Sequence, residues 1–119
     1  MKRQAVLNAL EFLKVARPNK HGFIVVKIRR DGVVLVNDRP LLNHVKYEST
    51  KTLYLREREI KKIERAVMQV LKERFTIPYL TIDYIPASER SWKNGGKYII
   101  SVNDKKVFTK KIKIVGVWR

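Results

Sequence analysis

The segment from Arg56 to Phe75 most constrains the fold, because its apolar residues recur at the spacing of an α-helix. The apolar face of this predicted helix holds Ile60, Ile63, Val67, Val70 and Leu71. The opposite face holds Arg58, Lys62, Arg65 and Lys72. A helix with one apolar face must pack that face against another element, so the chain needs a sheet or further helices to complete its core.

Short segments with β-strand character supply that partner. Val33 to Val36 is a four-residue apolar run that predicts a buried strand, and residues 52–56 and 79–85 alternate apolar and polar side chains. Residues 37–40 have turn chemistry, and Asn103-Asp104 predicts a tight turn between YIISV and VFTKKIKIVGVW. A further helix is predicted over residues 3–16, with Val6, Leu7, Leu10 and Leu13 on one face. The pattern predicts an α+β fold, and the sequence shows no internal repeat.

The second constraint is charge. The 119 residues include 27 Lys and Arg against 11 Asp and Glu, a net charge of +16. Residues 1–30 hold eight of the cations and residues 86–119 hold nine, so two basic ends flank a more balanced centre. A polyanion relieves the self-repulsion of such a chain, which makes nucleic acid the expected partner. No apolar run approaches 18 residues and no lipidation motif is present, so we expect no membrane partner.

The residues that catalysis would need are scarce. The chain has no cysteine and only two histidines, His21 and His44, which we interpret as polar contacts and not as metal ligands. The carboxylates worth considering for a metal-dependent nuclease are Asp31, Asp38, Asp83 and Glu89. The strand after Asp83 lacks the acid-x-Lys pair of restriction-type nucleases. We therefore expect no enzymatic activity, no cofactor and no small-molecule substrate.

The composition also indicates which nucleic acid to expect. No helix-turn-helix, zinc-finger or glycine-aromatic RNA-binding motif is present. The few aromatic residues are scattered along the chain, which argues against a stacking platform for single strands. A basic surface without stacking residues favours phosphate contacts with a structured RNA.

Residues 20–30 have two interpretations. The run FIVVKIRR is rich in β-branched residues, which favours a strand. Asn19 is a suitable N-cap and Gly32 a suitable C-terminal glycine, which together favour a helix.

Two motifs resemble a known family. The run GVVLVN, a polar loop and TLYLRERE resemble the alpha-L RNA-binding domain, with matches at Gly32, Val34, Val36 and Asn37. LRERE, a helix and IPYLTID are similar to the end of the bacterial-type family of small-subunit ribosomal protein four. The matching residues there are Arg56, Glu57, Pro78, Tyr79, Leu80 and Asp83. The resemblance covers residues 5–84 and the IVGVWR ending, and under it the family's large N-terminal region would be missing.

The resemblance implies a specific fold. Residues 1–56 would form an alpha-L-type RNA-binding domain, in which two helices pack on a short sheet and residues 20–30 are the second helix. Residues 57–119 would form a long amphipathic helix with C-terminal antiparallel strands packed against it.

The implied function is that of a structural constituent of the small ribosomal subunit, in a shortened organellar form on the mitochondrial ribosome. Its partners would be small-subunit ribosomal RNA and neighbouring ribosomal proteins. The alternative is a free-standing basic nucleic-acid-binding protein, such as a ribosome-associated factor or a phage or plasmid DNA-binding protein, in a bacterial or phage-infected cytoplasm.

The predicted RNA-binding residues are centred on the segment 20–30 and the loop that follows. Lysines 110, 111 and 113 either reach a second RNA segment or protect an edge strand from aggregation. The full predicted set is Lys20, His21, Lys27, Arg29, Arg30, Arg39, His44, Lys46, Lys110, Lys111 and Lys113.

Overall fold

The computed structural model describes residues 4–73, 75–86 and 96–112. Eight strands and two helices occur in this part of the chain. In chain order they are β1 Gln4–Asn8, α1 Ala9–Val15, β2 Phe23–Ile28, β3 Val33–Val36, β4 Arg39–Leu42, β5 Lys51–Arg56, α2 Glu57–Glu73, β6 Tyr79–Ile85, β7 Lys97–Val102 and β8 Lys105–Lys111.

The strands form two four-stranded sheets in which every neighbouring pair is antiparallel. The first sheet has the order β1-β6-β7-β8, and the second sheet has the order β4-β3-β2-β5. The buried apolar residues of both sheets and both helices form one core, whose largest members include Phe12, Ile24, Leu53, Ile63 and Leu80.

The predicted fold class is therefore wrong. It required two helices on a short sheet, then a long amphipathic helix and C-terminal antiparallel strands, whereas the described residues form two four-stranded antiparallel sheets with only two helices. Residues 23–28 form strand β2, and residues 23–36 form the β2–β3 hairpin. The cause is the alternation within FIVVKI, which buries Ile24, Val26 and Ile28 on one side of the strand.

The residues that favoured a helix at this position have other roles. The Asn19 side chain accepts from the backbone N–H groups of His21 (2.9 Å) and Phe23 (3.1 Å), so it shapes a turn that leads into β2. Gly32 has φ of +93° in the β2–β3 turn, a conformation that suits glycine there as well as at a helix end.

The predicted first helix also needs correction. Its first half is strand β1, and helix α1 begins at Ala9 after Asn8, whose side chain accepts from the N–H groups of Leu10 (3.0 Å) and Glu11 (3.2 Å). Ala5 and Leu7 alternate into the core because β1 pairs with β6, more than 70 residues further along the chain. Strand β4, which the sequence suggested was part of a turn, pairs with β3 at the edge of the second sheet.

The topology contains a repeat that the sequence does not display. The unit β1-α1-β2-β3-β4 and the unit β5-α2-β6-β7-β8 have the same order of elements. In each sheet the last three strands of one unit are completed by the first strand of the other unit. The registers agree, since Asn8 ends β1 opposite Tyr79 at the start of β6, and Arg56 ends β5 opposite Phe23 at the start of β2.

The sequence predicted a domain boundary between residues 56 and 57, and the strands of both sheets are distributed across this boundary. This position is the junction of β5 and α2. Each sheet takes strands from both sides of it.

Candidate nucleic-acid interface

Most of the predicted RNA-binding residues lie on the second sheet, but at its two opposite ends. Lys20 and His21 are exposed in the turn before β2, and Arg39 is exposed at the start of β4. Because β2 and β4 run parallel to each other across β3, these residues share one end of the sheet. Lys27 is exposed on β2 between the two ends.

The remaining members of this group lie at the other end. Arg29 and Arg30 are exposed after β2, and the Arg29 guanidinium pairs with the carboxylate of Asp31. His44 and Lys46 are exposed after β4, and the His44 backbone N–H donates to the carbonyl of Val6 (3.0 Å). Since β2 spans about 17 Å, the structure divides the predicted cluster into two groups joined by Lys27.

The three C-terminal lysines have different situations. The Lys110 ammonium donates to Glu59 Oε1 (2.8 Å) and to the carbonyl of Tyr54, so it joins β8 to the β5–α2 junction inside the fold. Lys111 is exposed at the end of β8. Lys113 lies outside the described residues.

Helix α2 carries a basic surface that the list of predicted contacts omits, although the same side chains were assigned to its polar face. Arg58, Lys62, Arg65 and Lys72 are all exposed and lie opposite the buried Ile60, Ile63 and Val67. We name these four cations the α2 stripe. It extends over about 21 Å at 1.5 Å per residue.

Within the described part of the chain, no carboxylate pairs with a cation of the α2 stripe. No ion pair between described residues involves any of its four members, since the pairs formed are Arg29–Asp31, Lys61–Glu57 and Lys110–Glu59. Glu59 is occupied by Lys110 and by the Arg56 backbone N–H (2.8 Å), and Glu73 accepts from the Gln69 amide (2.6 Å). The helix therefore presents to solvent a line of cations that no described carboxylate pairs with.

The outer face of the second sheet brings two aromatic residues together. Phe23 on β2 and Tyr54 on β5 meet edge to face, with ring centroids 6.4 Å apart, and Tyr54 is 54% exposed. The period-two alternation of FIVVKI and TLYLR places each ring on the face opposite the buried residues, but only the β2–β5 pairing makes the two rings neighbours.

A group of tyrosines lies partly inside the fold. Burial, with a smaller contribution from Tyr84, raises the pKa of Tyr98 to about 12. Burial also raises the pKa of Tyr47, and the nearby Tyr98, Asp83 and Tyr84 add to this rise. The Tyr98 hydroxyl donates to the carbonyl of Thr52 (3.1 Å). Both phenols therefore stay neutral near pH 7 and do not act as bases there.

The carboxylates considered for a nuclease site do not come together where they are described. Asp31 and Asp38 lie in turns at opposite ends of the second sheet, and Asp83 is on β6 in the first sheet. Glu89 lies outside the described residues. Across residues 4–73, 75–86 and 96–112, no three His, Asp or Glu side chains are grouped so as to hold a metal ion. Among the helices of this same part of the chain, none has the length and apolar character needed to cross a membrane.

Comparisons of the chain with protein-family models, with curated proteins and with solved structures find no match.

Proposed function

We propose that this protein binds nucleic acid, with RNA as the expected ligand, through phosphate contacts and without catalysing a reaction on it. The observation that carries the proposal is the α2 stripe, in which four exposed cations follow one face of a helix with no carboxylate paired to them among the described residues. Cations spaced along about 21 Å match a phosphate backbone better than they match a single compact anion.

The charge of the whole chain supports this choice of ligand. At +16 in 119 residues the protein carries a self-repulsion that a bound polyanion relieves. A cation already held by a carboxylate contributes little to phosphate binding, and the described fold holds few of its cations in this way. Binding of nucleic acid would release counterions and make the affinity depend steeply on salt.

A role in the small ribosomal subunit and a location on the mitochondrial ribosome stay predictions. Since strand β2 stands where the resemblance needs a second helix, we favour the alternative of a free-standing nucleic-acid-binding protein. Crosslinking in the native cell followed by sequencing of the attached nucleic acid separates the two. Reads gathered at one junction of small-subunit ribosomal RNA would support the ribosomal role, and reads spread over many RNAs, or DNA, would support the alternative.

The binding itself is tested by titrating a labelled hairpin RNA with the protein at several salt concentrations. The test variant is Arg58→Gln with Arg65→Gln, which removes two charges from the α2 stripe. The matched control is Lys105→Gln with Lys106→Gln, which removes two exposed charges from the β7–β8 hairpin.

We expect the stripe variant to bind more weakly and to lower the slope of log K against log salt by about two, since each phosphate contact contributes about 0.9 for duplexes. The control should change the slope by less. Equal losses in both variants would show that only net charge matters and would remove the α2 stripe as the site. No binding of hairpin RNA by the native protein at low salt would contradict the proposed function.

A further inference from the structure

The outer face of the second sheet combines aromatic rings with positive charge. The Phe23 and Tyr54 rings meet at 78° with centroids 6.4 Å apart, and the Arg56 guanidinium carbon lies 5.2 Å from the Phe23 ring centroid. Arg56 and Tyr54 are both exposed, whereas Phe23 is half-buried beneath them. We name Phe23, Tyr54 and Arg56 the aromatic corner.

The strand register fixes this arrangement. Arg56 pairs with Phe23 and Tyr54 pairs with Val25, so the three side chains of the aromatic corner lie on adjacent positions of two hydrogen-bonded strands. Leu53 and Leu55 of the same strand are buried on the inner face. The core therefore holds the strand in place while the Tyr54 ring stays exposed.

The outward strand positions around the aromatic corner carry only positive charge, although Asp38 of the β3–β4 turn lines a groove together with Val25 and Lys27. The side chains on the outward positions of the four strands include the cations Arg56 and Lys27 and no carboxylate. By register these positions are Phe23, Val25, Lys27, Val33, Leu35, Pro40, Leu42, Thr52, Tyr54 and Arg56. Exposed aromatic surface beside two cations complements a chain of flat bases linked by phosphates.

We propose that the aromatic corner binds an unpaired segment of nucleic acid, with a base stacked on Tyr54 and the adjacent phosphates held by Arg56 and Lys27. This inference rests on the proposed function and extends it, because it adds single-stranded segments to the phosphate contacts of the α2 stripe. Tyr54 offers an exposed ring that tolerates any base, since every base has a π-face. Arg56 lies two residues after Tyr54 on the same face of β5 and supplies a planar cation suited to phosphate.

The test compares two probes, an unstructured oligonucleotide of about ten nucleotides and a blunt duplex of the same sequence. Tyr54→Ala and Tyr54→Thr remove the ring, and the second introduces a β-branched residue of high strand propensity. Tyr54→Phe keeps the ring and removes the hydroxyl. The matched control is Phe75→Ala, which removes another exposed aromatic ring that is not part of this sheet. Thermal melting of each variant establishes that it is folded.

We expect loss of the Tyr54 ring to weaken binding of the single strand by about 5- to 100-fold and to leave duplex binding nearly unchanged. Tyr54→Phe and Phe75→Ala should bind the single strand like the native protein. Unchanged single-strand binding in folded Tyr54→Ala and Tyr54→Thr, with weaker duplex binding in the stripe variant, would overturn this inference and leave the proposed function standing. An equal loss in Tyr54→Phe would also overturn it, since the hydroxyl and not the ring would then be responsible. Failure of the native protein to bind either probe would overturn both.

Discussion

Lys110 and Lys111 are neighbours with opposite roles. Lys110 lies partly inside the fold, where its ammonium meets the mostly buried Glu59 carboxylate at 2.8 Å, whereas Lys111 is exposed. We expect Lys110→Met to lower the free energy of unfolding by about 1–3 kcal/mol, because it leaves the Glu59 charge without its cation. Lys111→Met should change it by less than about 0.5 kcal/mol. Urea denaturation of the two variants measures this contrast, and equal effects would mean that the Lys110–Glu59 pair contributes nothing to stability.

Tyr47 is 3% exposed, and its hydroxyl has no hydrogen-bond partner among the described residues. Removing a buried hydroxyl of this kind avoids its desolvation cost, so we expect Tyr47→Phe to raise the free energy of unfolding by about 1 kcal/mol near neutral pH. A decrease of about 1 kcal/mol or more in urea denaturation would contradict this and would indicate a partner for the hydroxyl.

The same substitution should alter the response to alkali. Burial raises the pKa of Tyr47 in the folded protein above its ordinary value. Above about pH 10 the tyrosine ionises in the unfolded chain but stays protonated in the folded one, so the free energy of unfolding falls as the pH rises further. Phenylalanine cannot ionise. The advantage of Tyr47→Phe over the native protein should therefore grow between about pH 8 and about pH 11, and a constant difference across this range would contradict the expectation.

At the scale of the element, the spacing of apolar residues predicted the elements that depend on local sequence alone. The amphipathic segment 56–75 is helix α2 Glu57–Glu73, and the apolar run 33–36 is strand β3. Residues 20–30 show the limit of the family resemblance. Their β-branched composition correctly indicated a strand, whereas the resemblance implied a helix. The burial of alternate residues in β2 agrees with the propensity.

The elements that were missed depend on partners distant in the sequence. Leu7 and Leu10 fit one helical face, yet Leu7 is buried in β1 and Leu10 is 38% exposed on α1. Only the pairing of β1 with β6 makes residues 4–8 a strand, and no local spacing records that pairing. Pro40 suggested a turn, but β4 is an edge strand, where the missing N–H of proline is tolerated. The aromatic corner was missed for the same reason, because Phe23 and Tyr54 become neighbours only through the β2–β5 pairing.

The two Asn-Asp turns are matched elements and permit a matched prediction. Asn37 and Asn103 have φ of 49°. Each side chain accepts from the N–H group of an adjacent strand, Asn37 from Val25 (2.9 Å) and Asn103 from Tyr79 (2.9 Å). Asn37 also donates from its Nδ2 to the carbonyl of Arg17 (2.5 Å). Alanine at either position should lower the free energy of unfolding by about 2–3 kcal/mol, through backbone strain and lost hydrogen bonds, with the larger cost at Asn37. Glycine, which tolerates this φ, should cost about 1 kcal/mol. Alanine and glycine costs that are equal would show that the backbone conformation contributes nothing.

At the scale of the molecule, the protein consists of two like units that complete each other. The sequence hides this because the units share little beyond Val36-Asn37-Asp38-Arg39 and Val102-Asn103-Asp104-Lys105 around their last turns. Leu53 and Leu55 of β5 are buried in the second sheet, as Ala5 and Leu7 of β1 are buried in the first. In each case the strand joins a sheet whose other three strands belong to the other unit. A repeat in topology with diverged side chains can be recognised only once the strand pairs are known.

This exchange of strands predicts how the chain behaves when it is cut. Fragments 1–48 and 49–119 separate the units within the segment between β4 and β5, and each fragment holds one leading strand whose pairing partner is on the other. Neither fragment can bury its core alone, so we expect each to lack cooperative unfolding and the equimolar mixture to regain it together with the far-ultraviolet circular dichroism of the whole chain. Leu55→Asp in the second fragment should prevent assembly, because Leu55 is 1% exposed and faces Ile24 across the β2–β5 pair. Thr52→Asp, on the outward face of the same strand, should still assemble. A fragment that unfolds cooperatively by itself would contradict this expectation. A single unit would then supply its own core, and β1 and β5 would only connect two independently folded units.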